Sequence, residues 1–457
     1  LVAWAPAARV PWAALAGLGV GLALLALPSL RHRPPPGGSR LPSIAILVFD
    51  GLAARHMSLY GYSLDTTPSF AALGRESACF DRAHSNSNGT LTSIPCLMGR
   101  YPGSPGTGLA EALRDAGYRT EWVTFLPPDG LNLPGFDRRT TLGYARTRPV
   151  FQAVARLAPP TWLQWLSHLM TEEATAFDPY FGLPRDDPYW NREHFPAGLT
   201  LDYAADRLAA HPTGLFMLVQ VWAPHYPYLP SPDVAGTLGG RPLEDRSFMN
   251  RPYEPQDLPR VEALRRRYDE YVVTADRALG RFLRQLEDRG LADRIYLIVT
   301  SDHGESFERG VLGHLGPATH EGMIWVPLLM RGPGLPVGRP QTFAEHLDLA
   351  PTLLELLGLQ PPSGLLGESL LPYIRDPQRR SRKLKVSMSH TVVTGMGGQI
   401  SIFQDPYKLS FVQQETKIRR LYNLIEDPME KTDHSEREAE LCRKLLETVK
   451  ISVVIPR

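Results

Sequence analysis

Cysteine is scarce in this chain, with three in 457 residues: Cys79, Cys96 and Cys442. So few cannot build a disulfide scaffold, and their spacing matches no structural zinc motif. One bridge stays open, between Cys79 and Cys96, if the domain lies outside the cytoplasm. Net charge is also nearly absent, at +1, so composition gives no electrostatic argument for a nucleic-acid partner. No internal repeat is visible. Proline and glycine are plentiful instead, at 43 and 39, which points to many turns and long surface loops. A chain of this length has room for a substantial core and for more than one domain.

One long apolar run is present. Residues 10–30 hold no charge between Arg9 and Arg31. Twenty-one residues at ~1.5 Å each span about 32 Å, enough for a hydrocarbon core. A cleaved signal peptide is the competing reading, but Leu25-Ala26-Leu27-Pro28-Ser29 lacks a small-x-small cleavage signature. Gly17, Gly19 and Gly21 argue against a buried helix in water. The expectation is a membrane helix, followed by a Pro/Gly linker to residue 40. The chain starts with Leu rather than Met, so further membrane helices are expected upstream. Arg31, Arg33 and Arg40 outnumber Arg9, which alone places the C-terminal side in the cytoplasm.

Beyond residue 40, strand-like runs alternate with helical patterns, the signature of a largely parallel sheet with helices on both faces. Strands are expected at Ile44–Phe49, Thr120–Thr124, Gly214–Trp222, Arg294–Thr300 and Trp325–Met330. Helices are expected at Gly108–Ala116, Leu258–Arg289 and Leu347–Leu357. Residues 127–200, rich in Pro, Trp, Tyr and Phe without periodicity, read as an insertion over the site within a catalytic domain at 41–375. Residues 376–457 read as a small C-terminal α+β subdomain, with strands near Lys385–Ser389, Ile400–Phe403 and Lys408–Phe411 and a helix from Glu436 to about Val449. The basic run Arg379-Arg380-Ser381-Arg382-Lys383 could touch anionic lipid headgroups, but a solvated loop is the preferred reading.

Three buried-type strands run into polar side chains. The first ends in Asp50-Gly51, another in Pro224-His225-Tyr226-Pro227, and a third in Asp302-His303-Gly304-Glu305, with Gly313-His314 following. Each end alone reads as a turn or cap. Together they place carboxylates and imidazoles at the C-terminal edge of a parallel sheet, where open α/β sheets hold their chemistry. Asn88-Gly89-Thr90-Leu91-Thr92-Ser93-Ile94-Pro95 is dense in hydroxyls and opens a helix, with Pro95 best tolerated in its first turn. A hydroxyl there is a cap or a nucleophile, since a helix N-terminus favours negative charge.

These segments resemble the sulfatase family of the alkaline phosphatase superfamily from about residue 43 to 434. The resemblance is carried by Arg55-His56-Met57-Ser58-Leu59-Tyr60-Gly61-Tyr62, Thr66-Thr67-Pro68, Gly99-Arg100-Tyr101-Pro102, the His225 and Asp302-His303 motifs, His346-Leu347-Asp348-Leu349-Ala350-Pro351-Thr352 and Leu421-Tyr422-Asn423-Leu424. It implies an alkaline-phosphatase-like fold and a divalent ion held by Asp50, Thr90, Asp302 and His303. His225 and His314 would bind the ester oxygens or a second metal and take part in catalysis, and Ser93 would also bind substrate. Two departures stand out. True sulfatases carry Cys/Ser-x-Pro-x-Arg, whose first residue becomes formylglycine, and Thr90 cannot. Thr90-x-x-Ser93-Ile94-Pro95-Cys96 resembles the phosphoethanolamine transferases of the superfamily, whose nucleophile is a metal-bound Thr. Asp50-Gly51 also replaces the usual Asp pair, which favours zinc or manganese over calcium. The expectation is a membrane-anchored, extracytoplasmic hydrolase or transferase acting on a lipid- or glycan-linked phosphate or sulfate ester through Thr90. A sulfatase proper and a non-catalytic tethered binder are the alternatives.

Overall fold

Ile44–Phe49 (β1) is buried along its whole length, as an unbroken apolar run requires when both faces of a sheet are covered. The computed structural model describes residues 41–126, 131–141, 197–242 and 248–452. Within them the strands are β1, β2 (Ala78–His84), β3 (Arg119–Thr124), β4 (Arg138–Thr141), β5 (Leu215–Val221), β6 (Arg251–Pro252), β7 (Tyr296–Ser301), β8 (Val311–Leu312), β9 (Trp325–Arg331), β10 (Ala344–Glu345), β11 (Lys385–Met388), β12 (Gln399–Gln404), β13 (Tyr407–Val412) and β14 (Glu415–Asn423). The helices are α1 (Pro68–Gly74), α2 (Thr90–Leu97), α3 (Leu109–Asp115), α4 (Ala197–Ala210), α5 (Leu258–Asp288), α6 (Glu321–Ile324), α7 (Leu349–Leu356), α8 (Leu371–Arg375), α9 (His390–Val393) and α10 (Ala439–Ser452).

The main sheet has eight strands in the order β10-β2-β9-β7-β1-β5-β3-β4. It is mixed: β9 runs antiparallel to both β2 and β7, and the other neighbours are parallel. Alternate residues of β1 feed two cores. Ala45, Leu47 and Phe49 pack with α1, α4 and α5. Ile44, Ile46 and Val48 pack with α2, α3, α7 and α8. Helices therefore cover both faces, and the two-residue side-chain period of the strand divides the core between them.

The C-terminal sheet, β11-β12-β13-β14, is antiparallel. It forms its own small core with Cys442 and Leu445 of α10. Two buried lysines tie it to the rest. Lys385 Nζ lies 2.8 Å from both Asp348 Oδ2 and Glu368 Oε1. Lys408 Nζ lies 2.8 Å from Glu321 Oε1 and 2.7 Å from Glu430 Oε1.

Several expectations need correction. Among the described residues no helix is long and apolar enough to cross a membrane. The longest, α5, has 31 residues, but Arg277, Arg281, Arg284 and Glu287 line its exposed side. It is an amphipathic helix against a sheet, not a span. The run 10–30 that suggested an anchor, and its linker, lie outside the described residues. The membrane helix, the membrane as partner and the membrane-anchored, extracytoplasmic location are therefore not retained. The basic run at 379–383 is an irregular, mostly exposed segment. No bridge joins Cys79 to Cys96: all three thiols are free and buried. Pro95 sits inside α2, past its first turn. The helix tolerates it because it ends at Leu97, and the carbonyl robbed of a donor belongs to exposed Leu91. Of the expected insertion, Arg138–Thr141 is edge strand β4 of the main sheet, while 127–130 and 142–196 lie outside the described residues.

Candidate active site

Strands β7, β1 and β5 are neighbours, and their registers align Phe49 with both Ser301 and Val221. Their C-terminal ends are thus level, and whatever follows them meets at one place. After β1 comes Asp50, whose N–H bonds the Val221 carbonyl at 2.9 Å. After β7 come Asp302 and His303, and the loop beyond β5 carries His225. All three carboxylate and imidazole groups of Asp50, Asp302 and His303 offer ligand atoms within 4.8 Å of one another, and all three residues are buried.

Thr90 enters from the side as the first residue of α2. Its Oγ1 lies 3.2 Å from His303 Nε2 and 3.4 Å from Asp50 Oδ2. Unlike the three groups beneath it, Thr90 is partly exposed. Ser93 lies one turn further on, fully buried, with its hydroxyl on the Thr90 carbonyl at 3.4 Å.

Hydrogen bonds on the far side of each ring set the imidazole tautomers. His303 Nδ1–H donates to the Gly304 carbonyl at 2.9 Å, His225 Nδ1–H to the Tyr226 carbonyl, and His314 Nδ1–H to Glu305 Oε1 at 3.1 Å. In each case Nε2 keeps its lone pair. The rings crowd together, with His303 and His314 centroids 4.0 Å apart and His225 and His314 5.1 Å apart. Burial lowers all three from the usual imidazole range, His303 and His225 to about 4 and His314 to about 3. They are neutral at physiological pH. Burial likewise raises Glu305 to about 7.

These groups fit a divalent cation. Two carboxylates and a neutral imidazole with its lone pair turned inward are a hard-to-borderline donor set. Asp302 Oδ2 is buried without a hydrogen-bond partner, which a buried carboxylate tolerates poorly unless a cation faces it. The backbone carbonyl on His303 Nδ1 is the outer support that orients a ligating imidazole. Gly51, where the sequence lacks a second Asp, adopts φ +73°. Its N–H donates to Asp302 Oδ1 at 3.1 Å, so the backbone orients that carboxylate.

Asp50, Thr90, Asp302, His303, His225 and His314 are all brought together. Three further residues escaped the sequence reading. Glu305 stood inside the Asp302-His303 motif, yet nothing in the motif revealed that it orients His314. Tyr268 accepts from Ala53 N–H at 2.9 Å and donates to the Gly51 carbonyl at 2.7 Å, fixing the turn after Asp50; it lay in an amphipathic helix and gave no signal. Asn88 opened the hydroxyl-rich segment, but its partners are more than two hundred residues away.

Comparison with known proteins follows this geometry. The sulfatase family model matches residues 42–359, and a model of the C-terminal region of N-sulphoglucosamine sulphohydrolase matches 318–451. Arylsulfatase K of Xenopus laevis is 28% identical over 208 residues, 42% of this chain and 38% of that one. The ulvan-active sulfatase of Formosa agariphila is 25% identical over 305 residues, 59% of this chain and 55% of that one. The chain thus spans about half the length, or less, of these two relatives. Among solved structures, a protein bound to its substrate D-glucosamine-2-N,6-O-disulfate superposes with TM-score 0.64 at 17% identity, over 90% of this chain and 98% of that one. The phosphonate monoester hydrolase of Agrobacterium radiobacter superposes with TM-score 0.64 at 20% identity, over 90% and 94%; at such identities the likeness shows the fold. With its family model covering well over half the sequence and its strand ends gathering Asp50, Asp302 and His303, the chain belongs to the sulfatase family of the alkaline phosphatase superfamily.

Proposed function

We propose that the protein is a metal-dependent hydrolase of anionic oxyesters in which the Thr90 hydroxyl is the nucleophile. The observation that carries this is the position of Thr90 Oγ1, 3.2 Å from His303 Nε2 and 3.4 Å from Asp50 Oδ2 at a helix N-terminus. A divalent ion held by Asp50, Asp302, His303 and Thr90 would lower the hydroxyl pKa and neutralise charge on the ester oxygens; zinc or manganese suits the donors best. Thr90 Oγ1 attacks the central sulfur or phosphorus as the bond to the leaving alcohol breaks. The amide groups that open α2 face the negative charge that develops there. His225 and His314 are neutral with unprotonated Nε2 atoms, so one of them takes the proton of the attacking hydroxyl and passes it to the oxygen of the departing alcohol. Water then cleaves the Thr90 ester and regenerates the enzyme.

Kinship supports sulfate esters as the substrate class, with the sulfated glucosamine of one structural neighbour as a guide to the alcohol. One specific observation favours phosphate instead. Thr90 cannot be oxidised to the aldehyde whose hydrate expels sulfate, so turnover needs direct water attack on the covalent ester. That chemistry is familiar for phosphoryl groups. The deciding experiment is a panel of 4-nitrophenyl sulfate, phosphate and phosphodiester after loading the protein with zinc, manganese or calcium. Turnover of one class that disappears in Thr90→Ala supports the reading. Undiminished turnover in Thr90→Ala sinks it.

A further inference from the structure

His314 is held by its main chain as well as by its ring. Its N–H donates to Asn250 Oδ1 at 3.1 Å, and the next N–H, that of Leu315, donates to the same oxygen at 3.0 Å. Its carbonyl accepts from Asn88 Nδ2 at 2.7 Å. The ring Nδ1–H goes to Glu305 Oε1. The N–H, the carbonyl and the ring of His314 thus each find a partner on a different segment of the chain.

The C-terminal subdomain orients the Asn88 amide. Strand β11 runs beside the nucleophile segment, where Met388 N–H donates to the Asn86 carbonyl at 2.9 Å. Two residues beyond β11, the His390 N–H donates to Asn88 Oδ1 at 2.5 Å. Nδ2 is thereby turned to the other side, where it also donates to the Ala318 carbonyl at 2.9 Å. Asn88 is fully buried, and replacing it would disturb the nucleophile segment, the His314 loop and the start of α9 together.

Asn250 is different, because it is exposed and serves one place. It precedes β6, whose pairing sets Arg251 against Leu312 and so brings Asn250 to Gly313 and His314. The backbone on both sides is shaped around this side chain. Asn250 adopts φ 57°, a left-handed conformation that asparagine tolerates better than most residues. Gly313 adopts φ +96°, and a Cβ there would collide with Asn250 Oδ1 and lie 3.0 Å from its backbone nitrogen. Gly313 also exchanges both N–H···O bonds with Ser306, at 2.9 and 3.1 Å. Strand β8 ends at Leu312 and this bridge at Gly313; the Asn250 oxygen takes over at the next two N–H groups.

We propose that Asn250 is a positioning residue for His314. Its side-chain oxygen fixes the His314 peptide, and with it the point from which the ring reaches the proton of the attacking hydroxyl. A ring held through Glu305 alone swings with its main chain, and a displacement of ~1 Å costs a reaction step about a hundredfold. This rests on the role given to His314 above and adds the residue that keeps the ring in place.

The test removes the oxygen without straining the backbone. Asn250→Gly keeps the left-handed conformation at no steric cost, whereas Asn250→Asp keeps that conformation and the acceptor oxygen. With 4-nitrophenyl sulfate and phosphate on metal-loaded protein, Asn250→Gly should lower kcat at least ~tenfold and leave KM within about twofold. Asn250→Asp should recover most of the lost kcat. In a His314→Ala background, adding Asn250→Gly should change kcat by less than about twofold, because the ring it positions is gone. Equal losses in both backgrounds, a loss confined to KM, no loss at all, or no recovery with Asp would overturn the proposal. If the wild-type protein turns over neither ester, or His314→Ala keeps full kcat, the catalytic reading fails by itself and the ring decides the proposal by nuclear magnetic resonance. In protein carrying isotope-labelled histidine, the His314 signals are those missing from His314→Ala. The wild type should show a single tautomer protonated at Nδ1, and in Asn250→Gly the two ring-nitrogen shifts should converge as the tautomers exchange. An unchanged single tautomer in Asn250→Gly contradicts the proposal.

Discussion

His303 links everything the site does, with Nδ1 fixed by the Gly304 carbonyl and Nε2 facing Thr90 and Asp50. Asp50, His225 and Asp302-His303 were legible in the sequence because each follows a buried strand, and period and position are local properties. Glu305, Asn88 and His390 were not, because their roles depend on distant partners: His390 pairs with Asn88 across 302 positions. The substitution series at the helix start follows from the geometry. Thr90→Ala should lower kcat by at least ~10³-fold, since it removes the proposed nucleophile and a ligand together. Thr90→Ser should retain measurable activity, and Ser93→Ala, whose hydroxyl bonds a backbone carbonyl, most of it. Steady-state kinetics with circular dichroism as a folding control reads all three. The thiols give a second residue-scale prediction. Burial pushes Cys79 up to about 11 and raises Cys96 and Cys442 as well. None should react with an aromatic disulfide reagent at neutral pH until the protein is denatured. A thiol titrating rapidly in the native protein would contradict the burial described here.

At the scale of elements, sequence periodicity located what a single face could announce. The expected strand at Ile44–Phe49 is found at those residues, and the long helix expected at Leu258–Arg289 ends at Asp288. β2, with Asp81 and Arg82 in its middle, and β14, largely exposed along its first half, carry no such pattern. They become strands through pairing with β9 and β13. Their signal is in the partner, not in themselves. Two elements make testable energetic claims. Lys408, on β13, is fully buried between Glu321 and Glu430. Lys408→Met should destabilise the protein by about 3–5 kcal/mol, because it removes the cation between two buried carboxylates and leaves Glu430 with Arg309 alone and Glu321 with His84 alone; chemical denaturation measures it. Asp276, on α5, accepts from the Ser69 and Phe70 N–H groups that begin α1. Its burial nonetheless raises its pKa to about 6. The folded state then binds a proton that the unfolded chain has released, so this contribution is complete below about pH 4 and lost as pH rises through about 6. The difference in stability between the wild-type protein and Asp276→Asn should shift by up to about 3 kcal/mol across that window, moving against the wild type as pH rises. A pH-independent difference would contradict it.

For the molecule as a whole, the mixed sheet sets the strand ends and the C-terminal sheet closes on the nucleophile segment. A ligand that binds only the folded site must stabilise the entire fold, by about 2.7 kcal/mol at a hundredfold excess over Kd. Zinc or manganese should therefore raise Tm and a chelator should reverse the shift, while Asp302→Ala should abolish the response. A metal-induced shift surviving in Asp302→Ala would place the ion elsewhere. The membrane helix expected at the start had a hydropathy argument, yet the longest helix described is amphipathic and lies against the main sheet. The central claim is that Thr90 is the nucleophile, and intact-mass analysis with peptide mapping of metal-loaded protein, acid-quenched during turnover of a 4-nitrophenyl ester, tests it most directly. The account predicts one sulfuryl or phosphoryl group on Thr90, absent from Thr90→Ala. An aldehyde at Ser93, or an adduct on any other residue, would contradict it.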